Sequence, residues 1–156
     1  MTSFSNEVDI RRFSKDDYRT HLKEVVELDE CFFERPWKLE NWETFCSSRE
    51  FYIYCLYDES KIMGFSLFEI INEGEAVHLH KILLHPVMRG LGKGYRLFEH
   101  ARNDLAAMGH CGCYLEVATD NKGAIALYEK CGLEVVRRVA RFYGNGDDAF
   151  IMMNYS

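Results

Sequence analysis

The stretch "HPVMRGLGKGYRLFEHA" (His85–Ala101) sets three alternate glycines, Gly90, Gly92 and Gly94, and two cations, Arg89 and Lys93, between an apolar run and a segment of helical periodicity. No other feature constrains the fold as much. Glycine weakens a helix start unless the backbone must take a positive φ or lie close to something. A strand must therefore end here, a turn must follow, and a helix must begin. The run before it, "EAVHLHKILLH", reads as that strand. The segment after it, "GYRLFEHARNDLAAMG", carries Leu97, Ala101, Leu105 and Met108 at helical spacing and ends at Gly109, a good C-cap.

The rest of the chain is organised around this unit. "VDIRRF" (Val8–Phe13) alternates like a short strand, and Ser14 with Asp17 is spaced as a capping box for a following helix. Pro36 in "FFERPW" ends that helix, and "KLENWETFCSS" reads as a second. "FYIYCLYD", "KIMGFSLFEII" and "EAVHLHKILLH" are strands separated by turns at Asp58–Ser60 and Asn72–Gly74, short enough to predict an antiparallel meander. "CYLEVAT" is a strand and "NKGAIALYEKCG" a helix ending at Gly132. "LEVVRRVARFY" and "AFIMMNY" form a hairpin around "GNGDD". The order predicts an α/β (α+β) domain with a mixed sheet covered by helices. With 156 residues and no repeat or linker, one domain spanning 1–156 is expected.

A net charge of −6 argues against a general polyanion binder. No run is long enough to span a bilayer, and "MTSFSNEVDIRR" lacks the apolar core of a secretion signal. The six cysteines, without a C-x-x-C pair, read as small buried apolar residues, reduced in a cytoplasmic protein.

Two familiar nucleotide loops do not fit the glycine spacing. A Walker A loop needs Ser or Thr after its Gly-Lys pair, whereas Gly94 follows Lys93. A dinucleotide fingerprint follows the first strand of a βαβ unit, whereas "GLGKGY" has the wrong third spacing and follows an antiparallel run. Two readings remain. One is a bare Gly-rich turn. The other is a pyrophosphate cradle, in which helix-opening amides and the helix dipole are reinforced by Arg89 and Lys93.

"RGLGKG" resembles the R/Q-x-x-G-x-G/A signature of the GNAT superfamily of N-acetyltransferases, and the preceding strand with "HP" fits that family's layout. The element order resembles the family over essentially the whole chain. The resemblance implies a mixed, mostly antiparallel central sheet of about seven strands flanked by about four helices. It implies acetyl-coenzyme A (acetyl-CoA) held by Arg89, Gly90, Leu91, Gly92, Lys93, Gly94 and Tyr95, with the backbone of Ile82, Leu83 and Leu84 pairing with the pantetheine arm.

"YLEVATDNKGAIALYEKCGLEVV" resembles the "LEV…N…A..LYE..GF" segment of the RimI-like group, the ribosomal-protein-alanine N-acetyltransferases. That resemblance implies Glu116 as general base, Tyr128 as general acid and Asn121 as a cofactor contact. "FFERPW" and "RFYGNGDDAFIM" are similar to two further segments of the group, and imply an acceptor lying between those loops, near Phe33, Trp37 and Tyr143. The chain departs from the pattern at Lys81, where the group often has asparagine, and at Leu133, where it has an aromatic.

The chemistry of these residues bears on the same roles. Acetyl transfer needs an unprotonated amine, then a proton for the departing thiolate. Glu116 sits in an apolar strand, where desolvation is expected to raise its pKa; the alternative is an edge-strand glutamate facing water. Asn121 and Tyr128 are two helical turns apart and share a face with Ala124, although a tyrosine there also suits a core with its hydroxyl at the rim. His78 and His80 share one face of their strand. With no third ligand in view they read as ordinary strand histidines, so no metal is expected, and His78 is the reserve base. Glu34, Asp147 and Asp148 either favour a cationic acceptor or form a solvated acidic loop.

The expected activity is direct transfer of an acetyl group from acetyl-CoA to a primary amine, foremost a protein or peptide N-terminal amine. A polyamine, amino acid or aminoglycoside is the alternative acceptor, and a non-catalytic acyl-CoA sensor is the alternative of another class. Neither nucleic acid nor membrane is an expected partner.

Overall fold

The computed structural model describes residues 9–155; Val8, expected to open the first strand, lies outside the described residues. The strands are β1 (Asp9–Ser14), β2 (Phe51–Asp58), β3 (Lys61–Ile71), β4 (Ala76–Leu84), β5 (Gly112–Ala118), β6 (Glu134–Val139) and β7 (Ala149–Asn154). The helices are α1 (Arg19–Phe32), α2 (Leu39–Ser48), α3 (Lys93–Ala107) and α4 (Lys122–Lys130). They follow the order that the sequence predicts. Only half of the expected capping box forms: the Ser14 amide donates to Asp17 Oδ1 at 2.6 Å, while the Ser14 hydroxyl accepts from the Asp16 amide, on a turn ahead of α1.

The strands make one mixed sheet in the order β1-β2-β3-β4-β5-β7-β6. Every neighbouring pair is antiparallel except β4 with β5, which is parallel because α3 crosses over between them. Helices cover both faces. α3 and α4 bury Leu97, Phe98, Leu105 and Tyr128 against Tyr54, Phe68 and Leu115. On the other face α1 and α2 bury Val25, Trp42 and Phe45 against Ile53, Phe65 and Leu67. Each such side chain contributes roughly 1.5–3 kcal/mol on leaving water.

Two irregularities of β4 position the site. Leu67 of β3 pairs with Lys81, but Phe68 pairs with Leu79, so His80 is an extra residue on β4. A bulge of this kind interrupts the period of two. Val77 and Leu79 pack toward α3 and α4, as Ile82 and Leu84 do, whereas His80, Lys81 and Leu83 all meet the α1–α2 side. In addition, β4 pairs with β5 only from Ala76↔Gly112 to Leu79↔Leu115, while β5 stays paired with β7 as far as Ala118. Beyond the bulge the two parallel strands part, and the gap between them is the cleft.

Candidate active site

One side of the cleft is built by the glycine loop. Gly90 and Gly92 have φ of +78° and +73°, and Gly92 caps α3 in the left-handed region. A Cβ at either position would meet nothing within 4 Å, so glycine serves the backbone conformation and leaves open space in front. Gly94 is helical, and a Cβ there would lie 3.3 Å from Leu127 of α4. The Arg89 Nε–H donates to the Leu84 carbonyl at 3.3 Å and ties the loop to the strand end. Between this loop, the end of β4 and the small-residue face of α4 runs a groove of about 590 Å³. Arg89, Gly90, Gly92, Lys93, Gly94 and Tyr95 all line it, together with Ile82, Leu83 and Leu84. Leu91 is exposed and borders a separate depression on the outer side of α3.

The His85 amide donates to Met63 of the neighbouring strand at 2.8 Å. By the alternation of an antiparallel ladder, Leu83 shares that side, while Ile82 and Leu84 turn their amides to the open edge.

The other side of the cleft holds the ionisable groups. A cavity of about 350 Å³ brings together Phe33, Trp37, Glu116, Asn121 and Tyr143. Ile82, Ala124 and Tyr128 line both this cavity and the groove, so the two meet at Tyr128. Tyr128 is 5% exposed, and burial pushes the pKa of its hydroxyl well up. Asn121 faces the cavity while its Oδ1 caps α4 by accepting from the Ala124 amide at 3.2 Å.

Glu116 accepts a hydrogen bond from His78 Nε2 at 2.8 Å. Burial pushes its pKa up, as the sequence reading expects, but the hydrogen bond and charge of His78, with a further bond from Tyr114, outweigh it. The carboxyl is held below its usual range, which reverses the expected direction. The reserve base and the first candidate thus form one unit. Behind them His80 Nε2 contacts Glu69 Oε1 at 2.8 Å, and Arg49 holds Glu69 Oε2 at 2.9 Å. The His78 and His80 rings lie 4.0 Å apart. Desolvation and the charge of His78 lower the His80 pKa to about 4.

The loop that closes the cavity is held by a pair that sequence reasoning missed. Lys81, 2% exposed, places Nζ 2.8 Å from Asp29 Oδ1 and 3.3 Å from the Arg35 carbonyl, with the rings of Phe33 and Trp37 within 4.7 Å. Burial pulls the Lys81 pKa below its ordinary value, and Asp29 opposes this without cancelling it. Asp29 Oδ2 accepts from the Trp37 amide at 2.9 Å and from Trp42 Nε1 at 3.1 Å. From the opposite loop, Tyr143 stacks against the Arg35 guanidinium at 3.8 Å. Asp148, by contrast, is engaged by Arg138 at 2.7 Å, and Asp147 by Asn145 at 2.8 Å. These acids brace their own loop and do not line the cavity, where the cations are Arg35 and Lys81. Among the cysteines, Cys46, Cys55 and Cys113 are buried as expected, but Cys31 and Cys111 are exposed.

A sheet parted at a bulged strand, with a glycine cradle on one side and a carboxylate and tyrosine on the other, is the arrangement of an acyl-group transferase. Residues 22–133 match the Acetyltransferase (GNAT) family, and the chain belongs to it. It is 30% identical over 138 residues to the [ribosomal protein bS18]-alanine N-acetyltransferase of Escherichia coli, covering 85% of this chain and 90% of that one. The crystal structure of the Escherichia coli ribosomal-protein-S18-alanine N-acetyltransferase has the same fold, with a TM-score of 0.82 at 24% identity over 94% of this chain and 92% of that one. An uncharacterized Mycobacterium leprae protein is 43% identical over 75 residues, which are 47% of this chain and 20% of that protein. Arabidopsis thaliana Naa50, in complex with the bisubstrate analogue CoA-Ac-MVNAL, superposes with a TM-score of 0.78 at 19% identity over 94% of this chain and 97% of that one. No helix among the described residues is long and apolar enough to cross a membrane.

Proposed function

We propose that the chain transfers the acetyl group of acetyl-CoA to a protein or peptide N-terminal amine. The observation that carries this reading is the meeting of groove and cavity at Ile82, Ala124 and Tyr128, because a thioester entering from one side faces an amine entering from the other. The co-substrate fits. The open space in front of Gly90 and Gly92 suits a pyrophosphate, Arg89 and Lys93 carry matching charge, and the apolar groove along Leu84 and Leu127 suits the pantetheine arm. Asn121 borders the cavity at the same junction and would contact the acetyl end.

Glu116, ionised at neutral pH through its bond to His78, accepts a proton from the acceptor ammonium, directly or through water. The freed nitrogen attacks the thioester carbonyl, whose oxygen is polarised by the amides turned to the open edge near Leu84. The C–S bond breaks as Tyr128, kept protonated by burial, donates to the leaving thiolate; the second proton of the attacking nitrogen restores the Tyr128 hydroxyl, and Glu116 gives up the first to solvent. Phe33, Trp37 and Tyr143 form the walls for the first residues of the acceptor. The support for a protein N-terminus is that the Escherichia coli relative is named for one and that Naa50 was solved with a peptide analogue.

The test incubates the protein with acetyl-CoA and a panel of N-terminal peptides, polyamines, amino acids and aminoglycosides, each followed by mass spectrometry. Acetylated peptide is the expected product; activity confined to small amines sinks the N-terminal reading. Acetyl-CoA binding without acetylation of any amine favours the sensor. Tyr128→Phe is expected to lower the rate by about 10²-fold and to keep the fold, since only the hydroxyl is lost. A rate within a factor of two or so of the parent removes Tyr128 from the proton's path. Gly92→Ala forces a Cβ into the left-handed region at about 1–2 kcal/mol. A lower Tm and a smaller Tm gain with coenzyme A are the expected readouts, and an unchanged gain argues against the cradle.

A further inference from the structure

We propose that Glu69, His78, His80 and Glu116 form a binding site for a divalent transition metal of the zinc class, and that its occupation stops acetyl transfer. The site itself stands on geometry alone; only its effect on transfer rests on the function proposed above.

His78 and His80 are i and i+2 on β4, which brings their rings 4.0 Å apart on one face. The third donor, absent from any local pattern in the sequence, comes from β3. The ligand atoms of Glu69, His78 and His80 all lie within 4.8 Å of one another. Two donors on a tetrahedral zinc with bonds of about 2.1 Å sit roughly 3.4 Å apart, so small side-chain rotations close the difference. Glu116 Oε2 lies 2.8 Å from His78 Nε2 but outside the mutual grouping of the other three, and becomes the fourth donor only when its side chain rotates toward them. Two imidazoles and two carboxylates are a donor set that suits zinc.

The surroundings favour a fixed site. Glu69 is 8% exposed, and Arg49 anchors its far oxygen at 2.9 Å, which leaves Oε1 turned toward His80. Such outer contacts orient first ligands and commonly govern affinity. The donors stand on three adjacent strands of one sheet, β3, β4 and β5. On binding, the metal replaces the proton between each His Nε2 and its glutamate, and each imidazole coordinates in its neutral form with its proton on Nδ1. The Glu116 lone pairs that would accept the amine proton are then committed to the metal. The glycine cradle lies on the other side of Tyr128 and is left intact.

The experiment titrates zinc ion into metal-free full-length protein by calorimetry and by competition with a chromogenic indicator. A Cys31→Ser/Cys111→Ser background removes the two exposed thiols. One equivalent bound with micromolar or tighter affinity is expected, weakened about tenfold or more in His80→Phe and in Glu69→Gln. The Tm gain with acetyl-CoA verifies that each variant is folded. Peptide acetylation, read by mass spectrometry because the released thiol also binds zinc, is expected to stop with zinc and return with chelator. No binding at about 100 μM zinc, or binding undiminished in both His78→Phe and His80→Phe, overturns the site. Binding with acetylation unaffected overturns the switch. If the metal-free protein acetylates no amine, calorimetry still decides the site and only the proposed function falls.

Discussion

Replacing Glu116 with glutamine is expected to lower kcat by about 10²–10⁴-fold while leaving the acetyl-CoA-induced rise in Tm in place. The substitution keeps the volume and a hydrogen-bond partner for His78, so the loss reports the missing proton acceptor. His78→Leu separates the two members of the pair. In the parent, burial pushes the Glu116 pKa up, and the hydrogen bond and charge of His78, with Tyr114 and His80, more than reverse it. Without His78, only Tyr114 and His80 oppose burial, and the carboxyl titrates at higher pH. The acid limb of the kcat/KM profile is therefore expected to move upward in His78→Leu. A limb that stays in place, together with a Glu116→Gln rate near that of the parent, would mean that another group takes the proton.

Asp29→Ala is expected to cost about 3–5 kcal/mol, because it strands a buried ammonium without its partner. Asp29 and Lys81 are 0% and 2% exposed, and Asp29 also serves the Trp37 amide and Trp42 Nε1. For a chain of this size that cost corresponds to a Tm drop on the order of 10 °C. Asp29→Leu/Lys81→Met removes both charges and is expected to recover much of the loss, since apolar packing often replaces a buried ion pair without penalty. Both forms should raise the KM for the acceptor more than that for acetyl-CoA, because the pair holds the loop carrying Phe33, Arg35 and Trp37 and touches nothing in the glycine cradle. A Tm for Asp29→Ala within about 2 °C of the parent would contradict the burial of the pair.

The difference between these two sites is also a difference in legibility. The glycine loop was readable because its signals are local: positive φ at Gly90 and Gly92, and an apolar period that starts at α3. Glu116 and Tyr128 were readable from a contiguous pattern on β5 and α4, and the structure brings both to the cleft. The direction of the Glu116 shift was not, since its partner His78 lies 38 residues away. Lys81 meets Asp29 across 52 residues, and neither carries a local sign of the other. A lysine among the apolar residues of a strand, and an aspartate beside Val25 and Leu28 on the buried face of α1, were the available hints. Glu69 was missed as a partner of His80 because it stands opposite His78 across the ladder and reaches His80 only diagonally, which neither "KIMGFSLFEII" nor "EAVHLHKILLH" announces.

The single supernumerary residue, His80, divides β4 into two halves with separate duties. Its first half is woven into the parallel joint with β5; its second is released from that joint and offers its main chain to a visitor. Deleting His80 would leave a regular ladder in which Lys81 follows Leu79 and every later side chain keeps its present face, and would remove the bulge at which the seam for the acetyl group opens. Substitutions among the side chains leave this division intact, because it is written in the count of residues. The grip on one substrate and the choice of the other can therefore drift apart over generations without disturbing the seam between them.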